Sequence, residues 1–198
     1  MPTAKKTTEI VIPAPNRKLI TTTIVGTNSL IYHAWDEKAI QMILDKQMKK
    51  AAKPREAKNP EEDYKRTYYY NSEGKIAYPA RNIKQAIVGS ARFLNGVQMT
   101  ILRGAIFVKG DKDGMIPVKY EKESMRRDMV TVGMGSADIR FRGQLDGWSM
   151  DLTIEYDADL LSPEQVLNLL QRAGFSQGLG EWRPEKNGDF GTFEIKQS

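Results

Sequence analysis

Four glycines, one tryptophan and two cations fall close together between Phe175 and Phe193: Gly178, Gly180, Trp182, Arg183, Lys186, Gly188 and Gly191. Glycine lacks a Cβ, so the backbone at these positions can take positive φ and let another group approach closely. Backbone amides turned outward cradle an anion, an indole face stacks against a base, and cations neutralise phosphate. Together these are what a single-stranded polyphosphate needs. The same residues also suit a plain surface loop, with glycines making turns and Trp182 covering the core.

Further cations lie in two strand-like pieces, Met125–Val132 with Arg126 and Arg127, and Ala137–Arg142 with Arg140 and Arg142. Arg140 and Arg142 are two apart, so on a strand they share one face while Ile139 and Phe141 share the other. Such a hairpin is expected either to grip phosphate with a cationic edge over an apolar base or to present a solvated face. Lys46, Lys49, Lys50 and Lys53 crowd the end of a helical pattern, where positive charge also suits a helix C-terminus. Arg81 lies on a polar face of a later helix. His33, the single histidine, sits among Tyr32, Ala34 and Trp35. Beside aromatics it reads as a packed residue or a phosphate contact rather than a general base.

The composition narrows the chemistry. The chain has 198 residues, 40% of them hydrophobic and 28% charged, with 30 Lys and Arg against 25 Asp and Glu. Those values fit one globular domain, and the net charge of +5 favours an anionic partner. Without cysteine there is no disulfide, thiol nucleophile or sulfur-ligated zinc, and one histidine cannot make a multi-histidine metal site. No Walker loop is present. No apolar run approaches the roughly 20 residues of a membrane helix, and no signal-peptide core follows Met1–Thr8, so cytoplasmic residence without membrane contact is expected. No catalytic residue, metal or cofactor is expected.

The elements that must position these residues follow from pattern. Residues 1–16 read as a loose arm, with Glu9–Ile12 able to add as an edge strand. Lys18–Gly26 reads as the first core strand, and a helix runs from near Trp35 or Asp36 to about Ala52. Pro54–Arg66 reads as a polar linker. Thr67–Tyr70 and Lys75–Tyr78 form a hairpin in which at least one of Tyr68, Tyr69 and Tyr70 faces away from its neighbours. Pro79–Asn95 is a helix, Ala105–Lys109 a strand, and Gly110–Gly114 a turn into another strand, Met115–Lys119. Trp148–Tyr156 alternates apolar and polar residues as a half-buried strand. Ser162-Pro-Glu-Gln165 has capping-box spacing, so a helix starts there, and Gly174 is expected to stop it. Thr192–Lys196 is the last strand.

Setting aside residues 32–78, with a helix and hairpin, and the β-rich residues 110–147 leaves the order strand, helix, strand, strand, helix, strand. This is an α+β, ferredoxin-like (RRM-like) βαββαβ core carrying a helical insertion and a β-hairpin insertion. One sheet face is covered by helices and the other is free for insertions or nucleic acid.

This core, with Gly178-Leu-Gly180 and Phe190-Gly191 before its last strand and Asn28-Ser-Leu-Ile-Tyr-His-Ala-Trp-Asp-Glu-Lys-Ala after its first, resembles the RAMP (repeat-associated mysterious protein) superfamily. It is most similar to the backbone subunits of CRISPR effector complexes and, in size, to phage-encoded relatives. The resemblance implies a single-domain, RNA-binding subunit that forms a homo-oligomer or filament along single-stranded nucleic acid, alone or with other effector subunits. It places Gly178, Gly180, Arg183, Lys186, Arg126, Arg127, Arg140 and Arg142 at phosphates. Trp182, His33, Lys49, Lys50 and Arg81 complete the expected nucleic-acid-binding set. Two other readings remain open: an assembly protein that oligomerises without nucleic acid, and a metal-dependent RNase using Asp36, Asp111, Asp113 or Asp138.

Overall fold

The computed structural model describes residues 12–35, 37–51, 57–133 and 135–197. In chain order the elements begin with β1 (Arg17–Gly26), β2 (Leu30–Ile31), α1 (Glu37–Gln47) and α2 (Pro60–Lys65). There follow β3 (Tyr69–Tyr70), β4 (Ile76–Pro79), α3 (Ala80–Ser90), α4 (Met99–Ala105), β5 (Ile106–Lys109) and β6 (Met115–Pro117). The chain then forms β7 (Lys122–Val132), β8 (Ser136–Asp146), β9 (Ser149–Asp157), α5 (Pro163–Ser176) and β10 (Phe193–Ile195). The result is a mixed α+β fold whose strand pairs are all antiparallel.

The largest sheet has four strands in the order β10-β1-β9-β5. Its spine is β1 on β9, paired from Arg17↔Asp157 to Val25↔Ser149. The alternation of Met150, Leu152, Ile154 and Tyr156 sends all of them inward, onto Ile83 and Ile87 of α3 and Val166 and Leu170 of α5 in one core. The two helices are joined across their contact by Ser90, whose buried hydroxyl donates to the Ile87 carbonyl at 2.7 Å and the Leu169 carbonyl at 3.3 Å. The start of α5 is fixed by reciprocal bonds between Ser162 and Gln165.

Two three-stranded sheets, β2-β8-β7 and β3-β4-β6, lie beside this core. They are joined by a tyrosine cluster: the buried Tyr32 ring stands edge-on to Tyr68 at 4.9 Å and to Tyr78 at 5.8 Å. Of the three successive tyrosines, Tyr68 is buried and Tyr70 is exposed although the two are spaced to share a face, and Tyr69 between them is partly buried.

Several local expectations are corrected. The polar stretch read as a linker folds from Pro60 into α2, where proline opens the helix, Glu61, Glu62 and Asp63 occupy its first turn, and Arg66 pairs with Glu62 at 2.7 Å. Gly174 does not stop α5, which runs on to Ser176. There glycine is needed because a Cβ would strike the Phe193 carbonyl of β10. The helix α4, with Leu102 buried, precedes β5 and was absent from the sequence reading. The strand after Gly114 forms as expected, as β6, and pairs with β4. The lysine-rich helix is shorter than expected, Glu37–Gln47, and leaves Met42, Ile43 and Leu44 exposed. The edge strand expected at Glu9–Ile12 falls, save Ile12, outside the described residues, as does Asp36.

Candidate nucleic-acid interface

The long hairpin of β7 and β8 has a register that sorts its side chains. Arg126↔Arg142, Asp128↔Arg140 and Val130↔Asp138 share one face, and Arg127↔Phe141 and Met129↔Ile139 the other. Two arginines directly opposite each other repel unless an anion lies between them. Asp128 supplies it, taking Arg126 Nε on Oδ1 at 2.7 Å and Arg142 Nη1 on Oδ2 at 2.8 Å. A third donor reaches the same Oδ2 from the glycine loop, Trp182 Nε1 at 3.2 Å. Burial alone would raise the Asp128 carboxyl, but the bonds from Arg126, Arg142 and Trp182 outweigh it and hold the group below the usual aspartate range.

Around this carboxylate the loop and hairpin form one surface. The Arg126 guanidinium lies over the Phe190 ring, 4.6 Å from its centroid, and the Phe190 amide donates to the Trp182 carbonyl at 2.9 Å. Trp182 has φ 54, a left-handed conformation unusual for a bulky residue, and is 38% exposed. One residue earlier, Glu181 accepts from His33 Nδ1 at 2.8 Å. That bond, with the charges of His33, Arg142 and Arg183, holds the Glu181 carboxyl below its ordinary range. The Tyr69 phenol is pushed up by burial, drawn down by Arg81 at the start of α3 and raised again by Glu181.

The glycine loop is not the open amide cradle expected from sequence. The Gly178 N–H donates to the Ala173 carbonyl, the Gly180 N–H to the Tyr78 hydroxyl and the Gly191 N–H to the Ser29 carbonyl. Gly180 sits at φ +73 with its α-carbon so close to the Ile31 carbonyl that a Cβ would collide. Arg183 is likewise engaged: Nε and Nη2 bind Glu185 Oε2 at 3.0 and 2.7 Å, and Nη1 donates to the Gly180 carbonyl at 2.7 Å. Arg142 is corrected too, since it is 6% exposed and faces Asp128 rather than solvent. The expected apolar base of the hairpin is reversed at its outer end, where Met129 is 80% and Ile139 47% exposed.

The structure therefore brings Trp182, Arg126, Arg142, Arg183 and His33 into one network, with Arg81 acting on Tyr69 beside it. Arg127 is exposed and leans on Phe141, 5.9 Å from the ring centroid, and Arg140 is exposed and bonded to Asp138 at 3.1 Å. Lys186 is exposed on the turn Pro184–Lys186. Lys49 and Lys50 lie past the end of α1, where Lys50 pairs with Asp45 at 3.0 Å. Three residues of the network were missed by type: Asp128, Glu181 and Phe190. For Asp128 a signal existed, an acid two residues from Arg126 in a strand pattern, which puts both on one face.

Among the described residues no group of three or more His, Asp or Glu could hold a metal ion. Asp111 caps its own turn by accepting from the Asp113 and Met115 amides, and Asp138 is held by Lys58 and Arg140. Among the described residues no helix is long and apolar enough to cross a membrane.

No family model and no curated protein matches the chain. Among solved structures it is similar to a chain of the cryo-EM structure of the Type III-B Cmr-beta bound to cognate target RNA, at 10% identity and a TM-score of 0.53, over 92% of this chain. It spans 60% of that chain's length. A crystal structure of Cmr6 from Pyrococcus furiosus is also similar at 9% identity, with a TM-score of 0.44, covering 91% of this chain and 99% of that one. At 10% identity the likeness to the Cmr-beta chain is one of fold.

Proposed function

We propose that this chain is a non-enzymatic subunit of the RAMP kind that binds single-stranded nucleic acid, RNA in particular, and assembles side by side along the strand. In this reading β1, α3, β5, β9, α5 and β10 are a ferredoxin-like core, residues 32–78 and 110–147 are insertions on it, and residues 1–198 make one domain. The single observation that carries the proposal is the junction at Asp128, where one buried carboxylate fixes an arginine stacked on an aromatic ring and a half-exposed tryptophan on the same surface. Flat faces of this kind stack bases without regard to sequence, and neighbouring exposed cations track the backbone.

The residues divide by role. Trp182, Arg126, Arg127, Arg140, Lys186, His33 and Arg81 contact the strand, with Lys49 and Lys50 as outlying phosphate contacts. Gly178, Gly180, Arg183 and Arg142 shape and brace the surface. The target RNA bound in the Cmr-beta structure supports RNA as the strand. The exposed apolar residues of α1 support contact with a neighbouring subunit.

The reading is tested with a fluorescently labelled single-stranded RNA. Replacing Arg127, Arg140 and Lys186 together by alanine is expected to weaken binding at least about tenfold, since each removes a phosphate contact, while the thermal midpoint stays put. Unchanged affinity in the triple variant would contradict it.

A further inference from the structure

We infer that the outer edge of β7 pairs, antiparallel, with the same edge of a second copy of this chain, joining two three-stranded sheets into one continuous sheet. The inference needs no bound nucleic acid and so stands apart from the reading above. In the order β2-β8-β7 the last strand is outermost, and it runs for 11 residues without a proline. Strands of about five or six residues are usual, and a long open edge is a template for another chain.

Which backbone groups of that edge are free follows from Gly143. Its amide donates to the Thr67 hydroxyl and its carbonyl accepts from the Tyr32 amide, both at 2.8 Å, so both point away from β7. Met125 lies opposite Gly143, and in an antiparallel ladder such a pair exchanges no bonds. The N–H and C=O of Met125 therefore point outward, as do those of Glu123, Arg127 and Met129 by alternation. No described residue is bonded to them.

Charge sets the occupant and the register. Glu123, Met125 and Arg127 share one exposed face, and among the described residues neither Glu123 nor Arg127 is in an ion pair. Four residues apart on a strand, about 13 Å, they are too distant to pair with each other. A two-fold axis through Met125 removes that gap. It sets Glu123 of each copy opposite Arg127 of the other, with Met125 against Met125 between the two pairs and Lys122 opposite Asp128 on the other face. Neighbouring registers fail. An axis through Glu123, Arg126, Arg127 or Asp128 puts a charge against its own copy, one through Ser124 sets Lys122 against Arg126, and one through Met129 brings no opposite charges together. The contact is isologous, so association through this edge stops at two chains. Arg127 has N–H donors enough for a carboxylate on one side and a phosphate beyond it.

The test follows nucleic-acid-free protein by sedimentation velocity across a concentration series, in a Met42→Lys/Ile43→Lys background that removes contacts through α1. A species of twice the chain mass is expected to grow with concentration. Glu123→Arg places like charges in both symmetry-related pairs and is expected to weaken the dimer at least about tenfold. Adding Arg127→Glu to it is expected to restore the dimer, because the swap rebuilds both pairs with their signs exchanged. The mass of one chain at every concentration, a dimer that Glu123→Arg leaves intact, or a double variant that stays monomeric would overturn the inference.

Discussion

Asp128 stands where two arginines face each other across the hairpin, and its carboxylate also anchors the indole of the glycine loop. Removing one partner of a buried ion pair leaves the other charged and desolvated, which costs about 3–5 kcal/mol. Asp128→Ala is therefore expected to lower the stability measured by urea unfolding by that order, because Arg142 is nearly as buried as Asp128. Lys186→Ala, at an exposed position, is expected to change stability by less than about 0.5 kcal/mol. The pH dependence follows from the depressed carboxyl. A group whose folded pKa lies below its unfolded value stabilises the fold above about pH 4, and that contribution fades as pH falls through the lower folded value. Asp128→Asn removes this part of the acid limb, so its stability should fall less steeply below pH 4 than that of the unaltered protein. A variant whose acid unfolding curve keeps the same slope would show that the carboxylate is not what holds the junction. The residue types were legible in the sequence, where Arg126, Arg142 and Trp182 were picked out. Their exposure was not, because it depends on which face of the hairpin turns to the loop, and strand periodicity leaves both faces equivalent.

Among the elements, β9 and the start of α5 were legible because their signals are local. Met150, Leu152, Ile154 and Tyr156 alternate without a break, and Ser162 with Gln165 closes a capping box. The short helix α2 was hidden by its polar composition, although Pro60 and three following acids are helix-start signals. The seven residues of α4 are too few to show a period. Gly174 read as a stop, yet its reason lies in a distant strand, where the Phe193 carbonyl occupies the space of a Cβ. Two glycine substitutions test the element-scale account in opposite directions. At Gly180, with φ +73 and the Ile31 carbonyl against it, alanine is expected to destabilise by more than about 1 kcal/mol. At Gly104, inside α4 with no atom within 4 Å of a built Cβ, alanine should stabilise by about 0.4–1 kcal/mol. Thermal unfolding of the two variants checks both signs, and a stable Gly180→Ala protein would mean that the loop is not packed as described.

At the scale of the whole molecule, two exposed surfaces have different chemistry. The hairpin and loop side carries the stacked arginine, the tryptophan and the exposed Arg140 and Lys186, with Arg127 exposed on the other hairpin face. The helix α1 shows Met42, Ile43 and Leu44 to solvent, an arrangement suited to contact with another subunit. Replacing Met42 and Ile43 by lysine is expected to lower the particle mass seen by light scattering while each subunit keeps its affinity for a short RNA. Unchanged mass would move the subunit contact elsewhere. The central claim, that the protein holds a polyanionic strand by neutralising its phosphates, is tested most directly by the affinity for single-stranded RNA as salt is raised. Each neutralised phosphate contributes about 0.7 to the slope of log affinity against log salt. The unaltered protein is expected to weaken steeply, and Arg127→Ala/Arg140→Ala to lose about 1.4 of that slope, two contacts at about 0.7 each. An affinity that does not change with salt, or a slope the double variant leaves intact, would contradict it.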